Sequence, residues 1–402
     1  MIFRGSLLVW IFGLLAVATG SSGALCANAA NPRAQPQTDP LENRRANPLE
    51  NPLENPLENP SPASAANPTG WNIPVLCYHT FHHETSSRTP GPLDETYEGF
   101  EDMLHYLKEN GFRSFLPDSG PLPENPDPQK VIITFDDGHI SQLRAAELLE
   151  EYGMRGIFFV IPSLIDVPHY PHLSSAQLSD LASRGHLIGV HGHRHVSMPV
   201  SGPEIIAVLD TVPELLMEIP GITDRKLHSL AFPYGHYTPA VKRSMRSRYP
   251  LQYTVNPGYW DGSSTLIPRI LITRETERKF YFDYLSGALA GPRALSMREP
   301  SGSRQSVIHF ENPGRLDPGT LYIRTASPDH DGRHYDTNAA APFLSVDGED
   351  AAVLVFDITA YLETHHSADH RALSFAMTQK KSEIHRFVSD GYLIWVTRVD
   401  AD

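Results

Sequence analysis

The stretch Val131-Ile-Ile-Thr-Phe-Asp-Asp-Gly138 decides how this chain folds. Its first five residues are β-branched or aromatic and read as a core strand. Two adjacent carboxylates follow at once, and then a glycine. Like charges disfavour each other's ionised state, so folding normally avoids pairing them at the mouth of a core strand. A cation nearby removes that objection. Further along, Val190-His-Gly-His-Arg-His195 ends a second apolar strand and offers imidazoles. Carboxylates and histidines at strand ends read as a metal site with a spare carboxylate beside it.

Outward from this stretch, strand and helix signals alternate from Trp71 onward. Strands are expected at Val75–Tyr78, Val131–Phe135, Gly156–Ile161, His186–Val190, Leu227–Phe232, Leu251–Val255 and Leu266–Ile272. Helices are expected between them, one opened at Ser174 by a capping box with Gln177. Such alternation implies parallel strands with helical crossovers, as an open sheet or a barrel. In barrels the chemistry gathers at the C-terminal strand ends. Asp136, Asp137, His191, His79 and Pro233-Tyr234-Gly235 all stand there. After about residue 295 short strands separated by turn-rich loops predict a small C-terminal β-sandwich-like domain over 296–402. Tyr322, Phe343, Phe356 and Trp395 are core or a sugar-stacking face in that domain.

Before the barrel, 71–295, residues 30–70 form a spacer in which Asn-Pro-Leu-Glu repeats from Asn47 to Glu58. Proline at every fourth position blocks helix and sheet ladders alike. Residues 1–29 read as a signal peptide: Arg4, the apolar run Leu7 to Val17, and Ala27-Asn28-Ala29 for cleavage. A periplasmic or extracellular protein is expected. Cleavage leaves Cys77 alone, so no internal disulfide is available, and a buried structural thiol is the expected reading.

With 402 residues, 40% of them hydrophobic, the chain holds two cores, and its formal charge of −14 lacks the basic footprint of a nucleic-acid binder. No Gly-x-Ser-x-Gly elbow, dinucleotide fingerprint or phosphate loop is present, which argues against a serine hydrolase or a nucleotide cofactor.

The chemistry of the strand ends suggests a division of labour. His191 and His195, with Asp137, make an imidazole–carboxylate set suited to Zn2+, and Co2+ or Ni2+ accept the same ligands. Asp136 is then free to take a proton from an attacking water. His82, His83, His139, His169 and His172 read as solvated loop histidines, and His193 as a neighbour of the site.

Thr134-Phe-Asp-Asp-Gly138, His191-x-x-x-His195 and Phe232-Pro-Tyr-Gly235 resemble three motifs of the polysaccharide deacetylases, carbohydrate esterase family 4. The resemblance spans about residues 71–290. It implies a distorted (β/α)7-type barrel and metal-dependent removal of acetyl groups from sugar polymers. It also implies Asp136 as catalytic base, Asp137, His191 and His195 as metal ligands, and the backbone N–H of Tyr234 as an oxyanion donor. Leu76-Cys-Tyr-His79 resembles the permuted poly-N-acetylglucosamine deacetylases, where the general-acid histidine precedes the Asp-Asp motif. That assigns the acid to His79; Ser306-Val-Ile-His309 is the weaker match.

Two positions depart from the family pattern. Gly192 stands where Ser or Thr is usual, and Ala231 where the arginine that orients the base is usual. Arg269, in Ile267-Pro-Arg-Ile-Leu271, is the expected substitute. The leading expectation is an exported N-deacetylase of an N-acetylhexosamine polymer. An O-acetyl esterase and a catalytically silent glycan-binding protein are the alternatives. An acetylated polysaccharide is the expected partner, with an envelope partner docking through the C-terminal domain.

Overall fold

The computed structural model describes residues 71–395, except 88, 118–125, 197–203, 224–226, 238, 298–306, 313–314, 327–335, 348–351, 366–371, 382–383 and 390–391. The expected signal peptide and spacer lie outside the described residues. Among the described residues no helix is long and apolar enough to cross a membrane.

The alternation resolves into seven parallel strands: β1 (Val75–Tyr78), β2 (Lys130–Phe135), β3 (Ile157–Val160), β4 (Leu187–Val190), β5 (Ser229–Ala231), β6 (Leu251–Tyr253) and a divided β7. The first six pair in chain order. The two halves of β7 close the ring, since Leu266–Ile267 pairs with β6 and Ile270–Leu271 with β1. Between the halves Pro268 has no N–H to give a ladder, so pairing breaks there. The sheet is therefore a distorted seven-stranded barrel, as the motifs implied, with its irregularity at Pro268-Arg269.

Strand alternation sorts the barrel's core into two layers. Val131, Ile133 and Phe135 join Leu104, Leu107 and Leu148 of the flanking helices. Val75, Ile132, Ile157, Phe159, Tyr253 and Ile267 belong to a second cluster, the barrel filling. Room for Phe159 depends on Gly189, where a Cβ would come within 2.4 Å of the Phe159 ring. On β1 and β2 the columns sharing the inner parity run Val75-Cys77-His79 and Ile132-Thr134-Asp136, with Cys77 and Thr134 in register. Each column starts apolar and ends polar, which places chemistry at the C-terminal strand ends.

Helices close the outer layer: Tyr97–Glu109, Gln142–Glu151, Ser175–Ser183, Glu204–Met217, Pro239–Met245 and Arg278–Leu285. The expected capping box is formed, with Ser174 accepting from the Gln177 N–H and the Gln177 side chain accepting from the Ser174 N–H.

The C-terminal sheet begins at Ala290–Met297, across the boundary expected at 295. This strand joins two halves. One runs through Val307–Glu311, Val353–Asp357 and Leu344–Asp347, the other through Ile384–Ser389, Ala372–Lys381, Leu321–Ala326 and Asp336–Ala339. Phe310, Leu354 and Phe356 from the first half share one buried cluster with Leu321, Ile323, Met377 and Val388 from the second. That shared filling makes the domain sandwich-like. Phe343 and Phe356 lie in it and so are core, not a sugar-stacking face. Tyr322 is partly exposed, and the Trp395 side chain lies outside the described set.

Candidate metal and catalytic centre

Asp136 and Asp137 leave the end of β2 in opposite surroundings. Asp136 is 1% exposed. Asp137 takes a left-handed φ of 71°, followed by Gly138 at 67°. Two consecutive left-handed residues turn the chain sharply, and a side chain at Gly138 would crowd Val160 at 3.1 Å. The neighbouring carboxylates thereby meet different partners.

Asp136 is gripped by Arg269. Nη1 donates to Oδ1 and Nη2 to Oδ2, each at 2.7 Å. Arg269 is itself fully buried, donating from Nε to the Thr254 carbonyl at 2.8 Å and from Nη1 to Thr134 Oγ1 at 3.1 Å. Thr134 in turn donates to the Leu76 carbonyl at 2.8 Å. Burial alone would raise the Asp136 carboxyl, but the charge and hydrogen bonds of Arg269, joined by His191 and His79, together outweigh it and hold the pKa at about 2. Asp136 is thus ionised and rigid at neutral pH.

Asp137 instead faces imidazoles. Its Oδ1 lies 3.4 Å from His191 Nε2 and 3.2 Å from His195 Nε2. His191 Nδ1 lies 2.9 Å from the Ala231 carbonyl, which can only accept, so Nδ1 carries a proton and Nε2 is the atom left facing Asp137. Burial lowers the ring's pKa, but Asp136 and Asp137 outweigh it and raise it. Ala231, at the position of the family's arginine, contributes this carbonyl. Asp137 Oδ1 is buried with no hydrogen-bond partner. Two imidazole nitrogens beside an orphaned carboxylate oxygen, three potential ligand atoms in all, fit a divalent cation. The ligand atoms of Asp137, His191 and His195 lie within 4.8 Å of one another. Like Asp137, His195 has a left-handed φ, 52°, which brings its ring back toward the strand ends.

His79, following β1, is 8% exposed and its Nδ1 is buried without a partner. Burial lowers its pKa, against the pull of Asp137 and Asp136. Cys77 is fully buried two residues before it, and burial raises its thiol well above the ordinary value, so the structural reading of this cysteine stands. Tyr234 occupies the turn after β5 with φ 58°, and its ring centroid lies 4.5 Å from that of His195, the two rings tilted by 53°. The turn's own bonds run from the Gly235 N–H to Phe232 at 2.8 Å and from the His236 N–H to Pro233 at 3.0 Å, and neither uses the Tyr234 N–H.

Every residue expected at the site from the sequence is therefore at the C-terminal end of the barrel or bound to one that is. His309, the weaker acid match, lies instead on the Val307–Glu311 strand of the C-terminal domain. Two histidine expectations need correcting. His82 is buried on the short strand Thr80–His82, since that segment pairs with Asp94–Thr96 rather than looping into solvent. His172 is partly buried with its Nδ1 enclosed, since it bridges to His139. Sequence reading missed Gln142. This buried residue donates from Nε2 to the carbonyls of both His79, at 2.8 Å, and Asp136, at 2.6 Å. It ties the ends of β1 and β2 together. A helix-opening glutamine carries no motif signal, and only its position just past Asp-Asp-Gly hints at the role.

Gly192 is also explained locally. It has φ 70°, and a Cβ there would lie 2.9 Å from Pro233 Cγ. The His191 turn passes too close to the Pro233 ring for the family's usual hydroxyl residue.

Residues 124–253 match the family model described as polysaccharide deacetylase. Among solved structures, a polysaccharide deacetylase from Bacillus cereus is similar at 19% identity and a TM-score of 0.47, covering 53% of this chain and 69% of that one. IcaB from Ammonifex degensii is similar at 22% identity and 0.46, covering 53% and 97%. The Streptococcus pyogenes deacetylase PplD in complex with acetate is similar at 20% identity and 0.45, covering 53% and 98%. No curated protein matches the chain.

Proposed function

From the match of residues 124–253 to the polysaccharide deacetylase family we propose that the chain is a metal-dependent N-deacetylase of that family, hydrolysing acetamide groups of an N-acetylhexosamine polymer. The observation that carries this reading is the split between neighbouring carboxylates. Asp137 presents an orphaned oxygen to two imidazoles, while Asp136 is clamped and ionised by Arg269.

Asp137, His191 and His195 would hold the cation, which when bound supplies Lewis acidity and a charge facing the developing oxyanion. Asp136 accepts a proton from water as the water oxygen attacks the acetyl carbonyl carbon. Arg269 fixes that carboxylate in one orientation and keeps it ionised. Its cost is weaker basicity, so Asp136 works only on an acidified water. The Tyr234 N–H donates to the carbonyl oxygen as it gains charge. Collapse breaks the C–N bond, and His79 gives its proton to the departing amine. Acetate and a free amino sugar leave. Gln142 holds the acid and the base at a fixed separation through their backbones.

The poly-N-acetylglucosamine class follows from Leu76-Cys-Tyr-His79, which puts the acid histidine ahead of the Asp-Asp motif. The apolar run beginning at Leu7 and the Ala27-Asn28-Ala29 site support export to the periplasm or beyond. An envelope partner at the C-terminal domain is proposed with it.

Acetate release from poly-β-1,6-N-acetylglucosamine oligomers, chitooligosaccharides and acetylxylan, run beside elemental analysis of the purified protein, tests the reading. Release from the amino-sugar oligomers by protein holding about one divalent ion per chain is expected. Release from acetylxylan alone would make it an O-acetyl esterase. A metal-replete protein that deacetylates none of them would make the barrel a silent binding domain.

A further inference from the structure

Large apolar side chains exposed among the described residues are few, and half of them ring one end of the barrel. Ile140 is 36% exposed, Tyr170 58%, Val196 40% and Tyr234 55%. They stand on four consecutive strand-to-helix loops, those following β2, β3, β4 and β5, and each loop carries one. Ile140 follows the Asp136-Asp137-Gly138 turn, and Val196 is the neighbour of His195. The Tyr170 loop is fastened to the first of these. Ile140 N–H donates to the Pro171 carbonyl and Leu173 N–H to the Gly138 carbonyl, each at 2.8 Å, with His139 and His172 bridged between them.

The floor enclosed by this crescent is polar and charged. Its rim is not a continuous apolar face, but single side chains set apart by polar backbone. An amphipathic ligand with flat C–H faces and hydroxyl edges fits such an alternation, which is the surface of a pyranose ring. A lipid surface fits less well, because it asks for a contiguous apolar patch and positive charge, and the chain carries a formal −14.

We infer that Tyr170 is a specificity-determining residue that receives the apolar face of a hexosamine ring beyond the one being deacetylated. The acetyl group must reach the Asp137–His191–His195 set, and a polymer threaded there passes along the crescent. Tyr170 then reads chain length, and Ile140 supports the same ring from the β2 loop. This rests on the deacetylase reading above.

The test uses full-length protein and N-acetylhexosamine oligomers of two and five residues. Tyr170→Ala should raise KM for the pentamer about three- to tenfold, the range of one aromatic contact, with kcat nearly unchanged and the dimer KM little moved. Tyr170→Phe should restore the pentamer KM, and Ile140→Ala should raise it by a smaller factor. The exposed Val346 of the C-terminal domain serves as control, and Val346→Ala should leave both KM values alone. Calorimetric binding of the pentamer to Asp136→Asn protein, with and without Tyr170→Ala, should show the same factor in Kd. Equal KM changes for dimer and pentamer, or none, would overturn the inference while wild-type turnover upheld the deacetylase reading. Wild-type protein that releases no acetate from either oligomer would overturn both. Sedimentation with phosphatidylglycerol vesicles that Tyr170→Ala abolishes, at unchanged KM, would replace the sugar by a lipid surface.

Discussion

Arg269 grips Asp136 through two parallel hydrogen bonds of 2.7 Å, across 133 residues of sequence and the seam where the barrel closes. The base-orienting arginine has thus moved to the break in β7, while Ala231 keeps only a carbonyl for His191. Removing the guanidinium leaves a buried carboxylate without its counter-charge. Arg269→Met should therefore destabilise the protein by about 3–5 kcal/mol and lower kcat at least 100-fold. The pH dependence has a definite sign. Asp136 is held at about 2, below its ordinary 3.8, so the pair stabilises the fold above the ordinary value, and that stabilisation is lost as pH falls through about 2. Without Arg269 the acid limb of kcat/KM should move to higher pH. An unchanged limb in a folded variant would show that Arg269 does not set the protonation of the base.

The two aspartates should separate by phenotype. Asp137→Asn removes the charge on the orphaned oxygen, so elemental analysis should find metal content reduced. Asp136→Asn should keep the metal, because its carboxylate belongs to Arg269, yet lose activity by at least 100-fold. His79→Ala should behave like Asp136→Asn, with metal retained and kcat low. Metal loss in His79→Ala would make that imidazole a ligand instead of the acid.

Gln142 offers a test of positioning without contact to substrate. Gln142→Leu removes both donors to the His79 and Asp136 carbonyls and leaves those carbonyls buried. A stability loss of about 1–3 kcal/mol is expected, read from urea unfolding, together with a fall in kcat at unchanged metal content. Gln142→Glu loses the Nε2 donor and should not rescue. A variant with wild-type kcat would limit Gln142 to a structural role.

Much of the barrel and its site was legible because both depend on local pattern. Val131–Phe135 is apolar by periodicity, and Asp136, Asp137, His191 and His195 sit at strand ends by adjacency. Arg269 is legible only indirectly, because Ala231 at the arginine's usual position leaves the base without a partner nearby in sequence. Gln142 was not legible, since its role is fixed by two backbone carbonyls that only the folded chain brings together. His82 was misplaced because three residues of strand are too short for a periodic signal. The C-terminal sheet was read only in part for the same physical reason: Ala290–Met297 pairs in parallel with Ile384–Ser389, a contact nothing local announces.

Gly192 yields a prediction opposite to the one family likeness suggests. Restoring the hydroxyl with Gly192→Ser should not help. A left-handed φ of 70° and a Cβ 2.9 Å from the Pro233 ring make the substitution strained whatever its side chain could bond. A loss of about 1–2 kcal/mol is expected, with weaker metal retention as the His191 turn shifts. Calorimetric melting with metal analysis would check it, and a variant that melts higher or turns over faster would refute the steric account.

His186 gives a test of stability far from any activity assay. It is fully buried, its Nδ1 accepting from the Gly156 N–H at 3.1 Å and its Nε2 donating to Glu150 at 2.9 Å. That arrangement needs the neutral ring. Burial lowers its pKa from the ordinary 6.5, opposed by Glu150. Between the folded value and 6.5 the unfolded chain binds more protons, so stability rises with pH across that window. The contribution is complete above 6.5, falls as the pH drops below it, and levels off once the folded ring protonates. The slope cannot exceed about 1.4 kcal/mol per pH unit for one proton. Urea unfolding from pH 5 to 8 should show this rise in the native protein, and His186→Gln should flatten it. Equal slopes in the two proteins would mean that His186 does not titrate differently on folding.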